Sequence, residues 1–171
     1  MNRINIGQQI LHFVVFVIVQ ILLLYKFILF DIAFGFFYIG IILYIPFGLS
    51  RSLTMTVGFF IGLIMDIFSN TPGIHASACV FLAFTKDIWL TIVIRRADED
   101  VKLDWNELGI FGSIQYLFPL ILVHHAMIFT IENDGFDGFA LLSAKIFFSS
   151  IYSFATILGL SILMAPKVRK I

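Results

Sequence analysis

An all-α integral membrane protein is the fold class this chain predicts, and three observations predict it. The 171 residues are 60% hydrophobic and only 13% charged, against about 25% charged in a typical globular domain. Apolar runs recur at close to the length of about 20 residues that crosses the hydrocarbon layer as a helix. The basic residues also fall on one side of the resulting topology. Six transmembrane helices in a single domain over 1–171, with both termini cytoplasmic, satisfy all three. A zero formal net charge gives no sign of a nucleic-acid partner, and the single cysteine, Cys79, excludes an internal disulfide.

The first span is expected over 10–30. Its apolar run is longer than a signal-peptide core and no Ala-x-Ala-like site follows it, so it reads as retained. The second is expected over 34–47, closing at Pro46, and the third over 53–68. Ser69-Asn70-Thr71-Pro72-Gly73 is turn chemistry, because the residue before a proline leaves the helical region and glycine accepts positive φ. The fourth span covers 74–94, with Lys86 and Asp87 suggesting that it leaves the membrane early. Arg95 to Glu107 is the one long charged run and reads as a solvated connection. The fifth span covers 108–130, and the sixth covers 139–165 after an acidic loop.

With the N-terminus inside, the cytoplasmic segments hold Arg3, Arg51, Lys86, Arg95, Arg96, Lys102, Lys167, Arg169 and Lys170. That is nine of the eleven basic residues, leaving Lys26 and Lys145 outside.

The polar positions that stand out lie between Leu53 and Lys86. Gly58, Gly62 and Asp66 recur every four residues and share a helix face, a small-residue seam of the kind that receives a closely packed partner helix. Asp66 ends the seam. An acid at that depth needs pairing, protonation or hydrogen bonds, and two sources are at hand. One is the backbone of the turn at 69–73 or of the helix that restarts at Ile74; the other is a hydrogen bond from His75 across the turn. His75, Cys79 and Lys86 share one face of the fourth span, with Ala76, Ser77, Ala78 and Ala83 as small packing neighbours. Asp66, His75 and Cys79 lack a fourth ligand and make a weak metal set. His124 and His125 place two more imidazoles in the fifth span. No nucleotide-binding loop, cofactor motif or nucleophile with a nearby base is evident.

Gly58-Phe59-Phe60-Ile61-Gly62-Leu63-Ile64-Met65-Asp66, followed by Pro72-Gly73-Ile74-His75-Ala76 and by Ala83-Phe84-Thr85-Lys86, resembles the signature of the rod shape-determining protein MreD family, in its Bacteroidetes-like branch. The motif covers about a fifth of the chain, and Lys86-Asp87 departs from the arginine and proline expected there. The resemblance implies a non-enzymatic scaffold of the bacterial cytoplasmic membrane, without cofactor or metal. Its implied partners are the single-span protein MreC, the RodA and penicillin-binding protein complex, MreB filaments indirectly, and membrane lipids. Gly58, Gly62, Asp66, Gly73, His75 and Ala76 are then the partner-binding or structural motif. The family is also similar in fold to the substrate-binding subunits of energy-coupling-factor transporters. That sets the competing expectation, a small-molecule-binding subunit of a vitamin-type transporter with Asp66, His75 and a histidine of the 124–125 pair lining a pocket.

Overall fold

The computed structural model describes residues 14–18, 20, 32–45, 49–94, 105–133 and 138–164, and all regular structure among them is helical. A helix α1 is described at 14–18 and 20; the rest of the span expected over 10–30 lies outside the described residues. Then follow α2 (Ile39–Leu43), α3 (Arg51–Ser69), α4 (Ile74–Ile94), α5 (Trp105–Glu132) and α6 (Phe139–Met164). Four of these contain stretches long and apolar enough to cross a membrane: Arg51–Ser69, Ile74–Val93, Phe111–Glu132 and Phe139–Ile162. Successive long helices pack side by side as antiparallel neighbours, α3 on α4, α4 on α5 and α5 on α6. Their outward faces carry large apolar side chains, among them Phe60, Ile67, Phe111 and Ile162, as a lipid solvent requires.

The helix ends follow from local chemistry. Ser50 caps α3, its hydroxyl accepting from Leu53 N, and Asn70 closes the same helix in the left-handed conformation with φ 55°. Gly73 also has positive φ, 82°, so the chain reverses within four residues and α4 restarts against α3. Pro119 lies inside α5. Having no N–H, it leaves the carbonyl four residues back without its helical donor. The indole N–H of Trp89 on α4 donates to that carbonyl, Gln115 O, at 3.0 Å, and so ties α4 to α5 at the place where the ladder is broken. Hydroxyls within the helices fold back onto carbonyls three or four residues earlier, as Thr56 does on Ser52 O and Thr156 on Tyr152 O.

The span expected over 34–47 takes a different form. Among its described residues helix is confined to the five of α2, and residues 32–38 are not helical. Hydropathy identifies an apolar environment without distinguishing lipid from protein interior, and here the environment is interior: Phe36, Phe37, Tyr38 and the whole of α2 are buried. Open backbone at this depth is tolerable only where the protein satisfies it, and neighbouring helices do so. Phe34 N donates to Ser149 Oγ and Phe36 N to Ser153 Oγ of α6, each at 2.9 Å. Gln20 of α1 accepts from the N–H groups of Phe37 and Tyr38 and donates to Gly35 O. At the other end Tyr116 Oη donates to Leu43 O and Lys86 Nζ to Ile45 O, relieving carbonyls that a helix end leaves open.

Lys86 is 1% exposed and also pairs with Asp87 at 2.9 Å. Its ammonium finds both partners inside the bundle, and the helix runs on to Ile94.

Gln20 is therefore a hub for the interior segment. Gln20→Leu removes three of its hydrogen bonds at once. Amide exchange at Phe37 and Tyr38, followed by mass spectrometry in nanodiscs, should accelerate by at least about tenfold, the equivalent of about 1.4 kcal/mol of local opening. Unchanged protection would show that the segment is held by packing alone.

Candidate functional site

The seam and the acid of α3 meet the first turn of α4. A Cβ on Gly62 would stand 2.4 Å from Ala76 Cα and 2.5 Å from His75 O, while one on Gly58 would stand 3.0 Å from Cys79 O and 3.3 Å from Ala83 Cβ. The helix received by the seam is thus α4 of the same chain, and the expected seat for a separate partner helix is already filled. A turn of four residues makes the next helix of the same chain the nearest candidate for any close-approach face.

Asp66, buried at 5% exposure, caps α4. Oδ1 accepts from His75 N at 2.9 Å and from the Thr71 hydroxyl at 2.8 Å, and Oδ2 accepts from Ala76 N at 2.9 Å. Its own carbonyl accepts from the N–H groups of Asn70 and Thr71. The carboxylate thereby meets the electropositive end of α4 with several charge-assisted bonds. The expected hydrogen bond between His75 and Asp66 across the turn is present. It is the backbone of His75 that reaches the acid, while its ring turns inward to Tyr38.

Tyr38, on the interior segment, is the residue that hydropathy hides. Its hydroxyl lies 2.7 Å from His75 Nδ1 and 3.2 Å from His124 Nε2, and Cys79 Sγ lies 4.0 Å from that same Nε2. His125 donates from Nδ1 to Ile121 O at 2.8 Å and meets Ser153 Oγ through Nε2 at 3.0 Å. That serine also receives Phe36 N. The Phe36 ring sits among the three imidazoles, 5.4 Å from His75, 6.1 Å from His124 and 5.0 Å from His125 between ring centres, with Phe129 at 5.8 Å.

Five elements thus converge. Asp66 comes from α3, His75 and Cys79 from α4, His124 and His125 from α5, Ser153 from α6, and Tyr38 from the segment that threads between them. Gly73 shapes the turn and Ala76 supplies an N–H and room for Gly62. Asp66, His75 and the 124–125 pair are brought into one neighbourhood, as the pocket expectation required. Yet the Phe36 and Tyr38 rings occupy the space between the imidazoles.

Tyr38, Gln20, Ser149 and Ser153 escaped the sequence reading. The available signal is length: fourteen residues over 34–47 make about 21 Å of helix at about 1.5 Å per residue, short of the hydrocarbon thickness of about 30 Å.

No family model, curated protein or solved structure matches the chain.

Proposed function

We propose that this chain is a non-enzymatic scaffold of the bacterial cytoplasmic membrane, acting in the elongation machinery that maintains rod shape. Its place there is beside a single-span MreC-type partner and, through it, the RodA and penicillin-binding protein complex and MreB. The observation that carries this reading is the use made of the motif: both carboxylate oxygens of Asp66 and the bare backbone of Gly62 are spent in closing α3 onto α4. A motif used this way holds a shape. With the seam filled from within, a partner's span meets the bundle on its outward apolar surface. Both termini inside and six crossings, with the 32–45 segment as an interior crossing, complete the proposal.

Deleting the gene in its rod-shaped host should give rounded cells, and tagged protein should retain the single-span partner through detergent purification. Normal rods that require a supplied vitamin would overturn the reading in favour of a small-molecule-binding transporter subunit. One observation favours that second reading: His124, buried among polar rings, keeps one ring nitrogen without a hydrogen-bond partner among the described residues. Against it stands the filling of the same interior by Phe36 and Tyr38.

A further inference from the structure

His124 is 1% exposed, and its Nδ1 has no hydrogen-bond partner among the described residues. An orphaned buried nitrogen calls for a physical reason. The other nitrogen of the same ring is one end of a continuous chain, His124 Nε2 to Tyr38 Oη at 3.2 Å and Tyr38 Oη to His75 Nδ1 at 2.7 Å. A phenol has one proton to give, so at most one of the two imidazoles receives it, and Cys79 also lies against the hydroxyl. The shorter suits O–H donating to the bare Nδ1 of His75, and the longer suits Nε2–H of His124 donating to the phenol oxygen. This leaves Nδ1 of His124 with a free lone pair.

We infer that the three groups form a proton relay, in which a proton received at Nδ1 of His124 is delivered as charge to His75. A hydronium ion reaching Nδ1 gives up its proton there and returns to water. The Nε2–H of His124 passes to the phenol oxygen, and the phenol proton passes to Nδ1 of His75. His124 ends neutral with its proton on the opposite nitrogen, Tyr38 is restored, and His75 carries the positive charge.

Electrostatics decides where the charge rests. Around His124 stand Phe36, Cys79 and the neutral rings of Tyr38 and His125. His75 instead has its own backbone N–H on the Asp66 carboxylate, and an ion in a low-dielectric interior is tolerable only beside its counter-charge. The titratable groups that act on the relay are Asp66 from α3, Cys79 from α4, and His125 and Glu132 from α5. From α6 the nearby polar group is the Ser153 hydroxyl, which meets His125. His124 lies eight residues, about 12 Å, inside the end of α5, and His75 lies in the first turn of α4, so the relay runs between bundle interior and helix end.

The test is nitrogen NMR of histidine-labelled protein in nanodiscs, taken from alkaline to mildly acidic pH. As His75 becomes doubly protonated, His124 should switch in the same transition from the Nε2–H to the Nδ1–H tautomer while staying neutral. In Tyr38→Phe the His124 switch should be lost. Double protonation of His124, a tautomer that persists through the His75 transition, or no titration of either ring before unfolding would each overturn the relay. The native chain decides this by itself, so a Tyr38→Phe protein that misfolds does not protect the proposal. Rod shape in the host is a separate readout, and a failed relay leaves the scaffold reading standing.

Discussion

Gly62→Ala should lower the stability of the bundle far more than Gly58→Ala. Alanine favours a helix over glycine by about 1 kcal/mol at either position, so the difference between the two reports packing. At Gly62 the new methyl would stand 2.4–2.6 Å from backbone atoms of His75 and Ala76, which cannot swing aside as a side chain can. The two helices must separate, at the upper end of overpacking costs of about 3 kcal/mol. At Gly58 the contacts are 3.0–3.4 Å, to Cys79 backbone atoms and the Ala83 methyl; a shift of a few tenths of an ångström relieves them, and the net change should be within about 1 kcal/mol of zero. Thermal unfolding in detergent, read by near-ultraviolet circular dichroism, measures both. Equal effects would mean that α3 and α4 do not approach as closely as the structure has them. Gly62→Leu should fail to fold, so loss of a co-purifying partner in that variant would report the broken hairpin and not a broken interface.

How much of this was legible depended on what kind of information each residue carried. The long helices α3 to α6 follow from apolar length, and the reversal between α3 and α4 from Pro72 and Gly73, because these are properties of the local chain. That Asp66 serves as a cap was also within reach, since an acid just before a turn and a helix restart has backbone donors close by. The occupant of the Gly58–Gly62 seam was not legible in the same way. Small residues at a spacing of four announce a close neighbour without saying whether it belongs to the same chain. Least legible was Tyr38. Its surroundings in sequence, Phe36-Phe37-Tyr38-Ile39, are as apolar as any membrane span, and only the tertiary fold distinguishes a ring facing lipid from one set between His75 and His124. Lys86 misleads for the converse reason: its charge argues for water until a carbonyl from an interior segment, Ile45 O, is found to meet it.

Asp66→Leu should be the most damaging change among the groups that cap α4, and Asp66→Asn should fall between it and the native chain. Leucine strands the N–H groups of His75 and Ala76 and the Thr71 hydroxyl, all of which donate to the carboxylate. An unsatisfied buried donor costs about 1–3 kcal/mol; two buried amides and a part-buried hydroxyl together put the loss at about 4 kcal/mol. Asparagine keeps one accepting oxygen but sets its amide protons against a backbone N–H that is itself a donor. About half of the joint survives, with a loss of about 2 kcal/mol. Thr71→Val removes only the hydroxyl and should cost about 1 kcal/mol, in keeping with a single net hydrogen bond. Chemical unfolding in mixed micelles ranks the three variants. The graded order is what a cap with two working oxygens requires, because each oxygen has its own backbone donor and asparagine supplies one oxygen. Were asparagine as harmful as leucine, the negative charge itself would be the requirement, and Asp66 would have to be read as the counter-ion of His75 before it is read as the cap of α4.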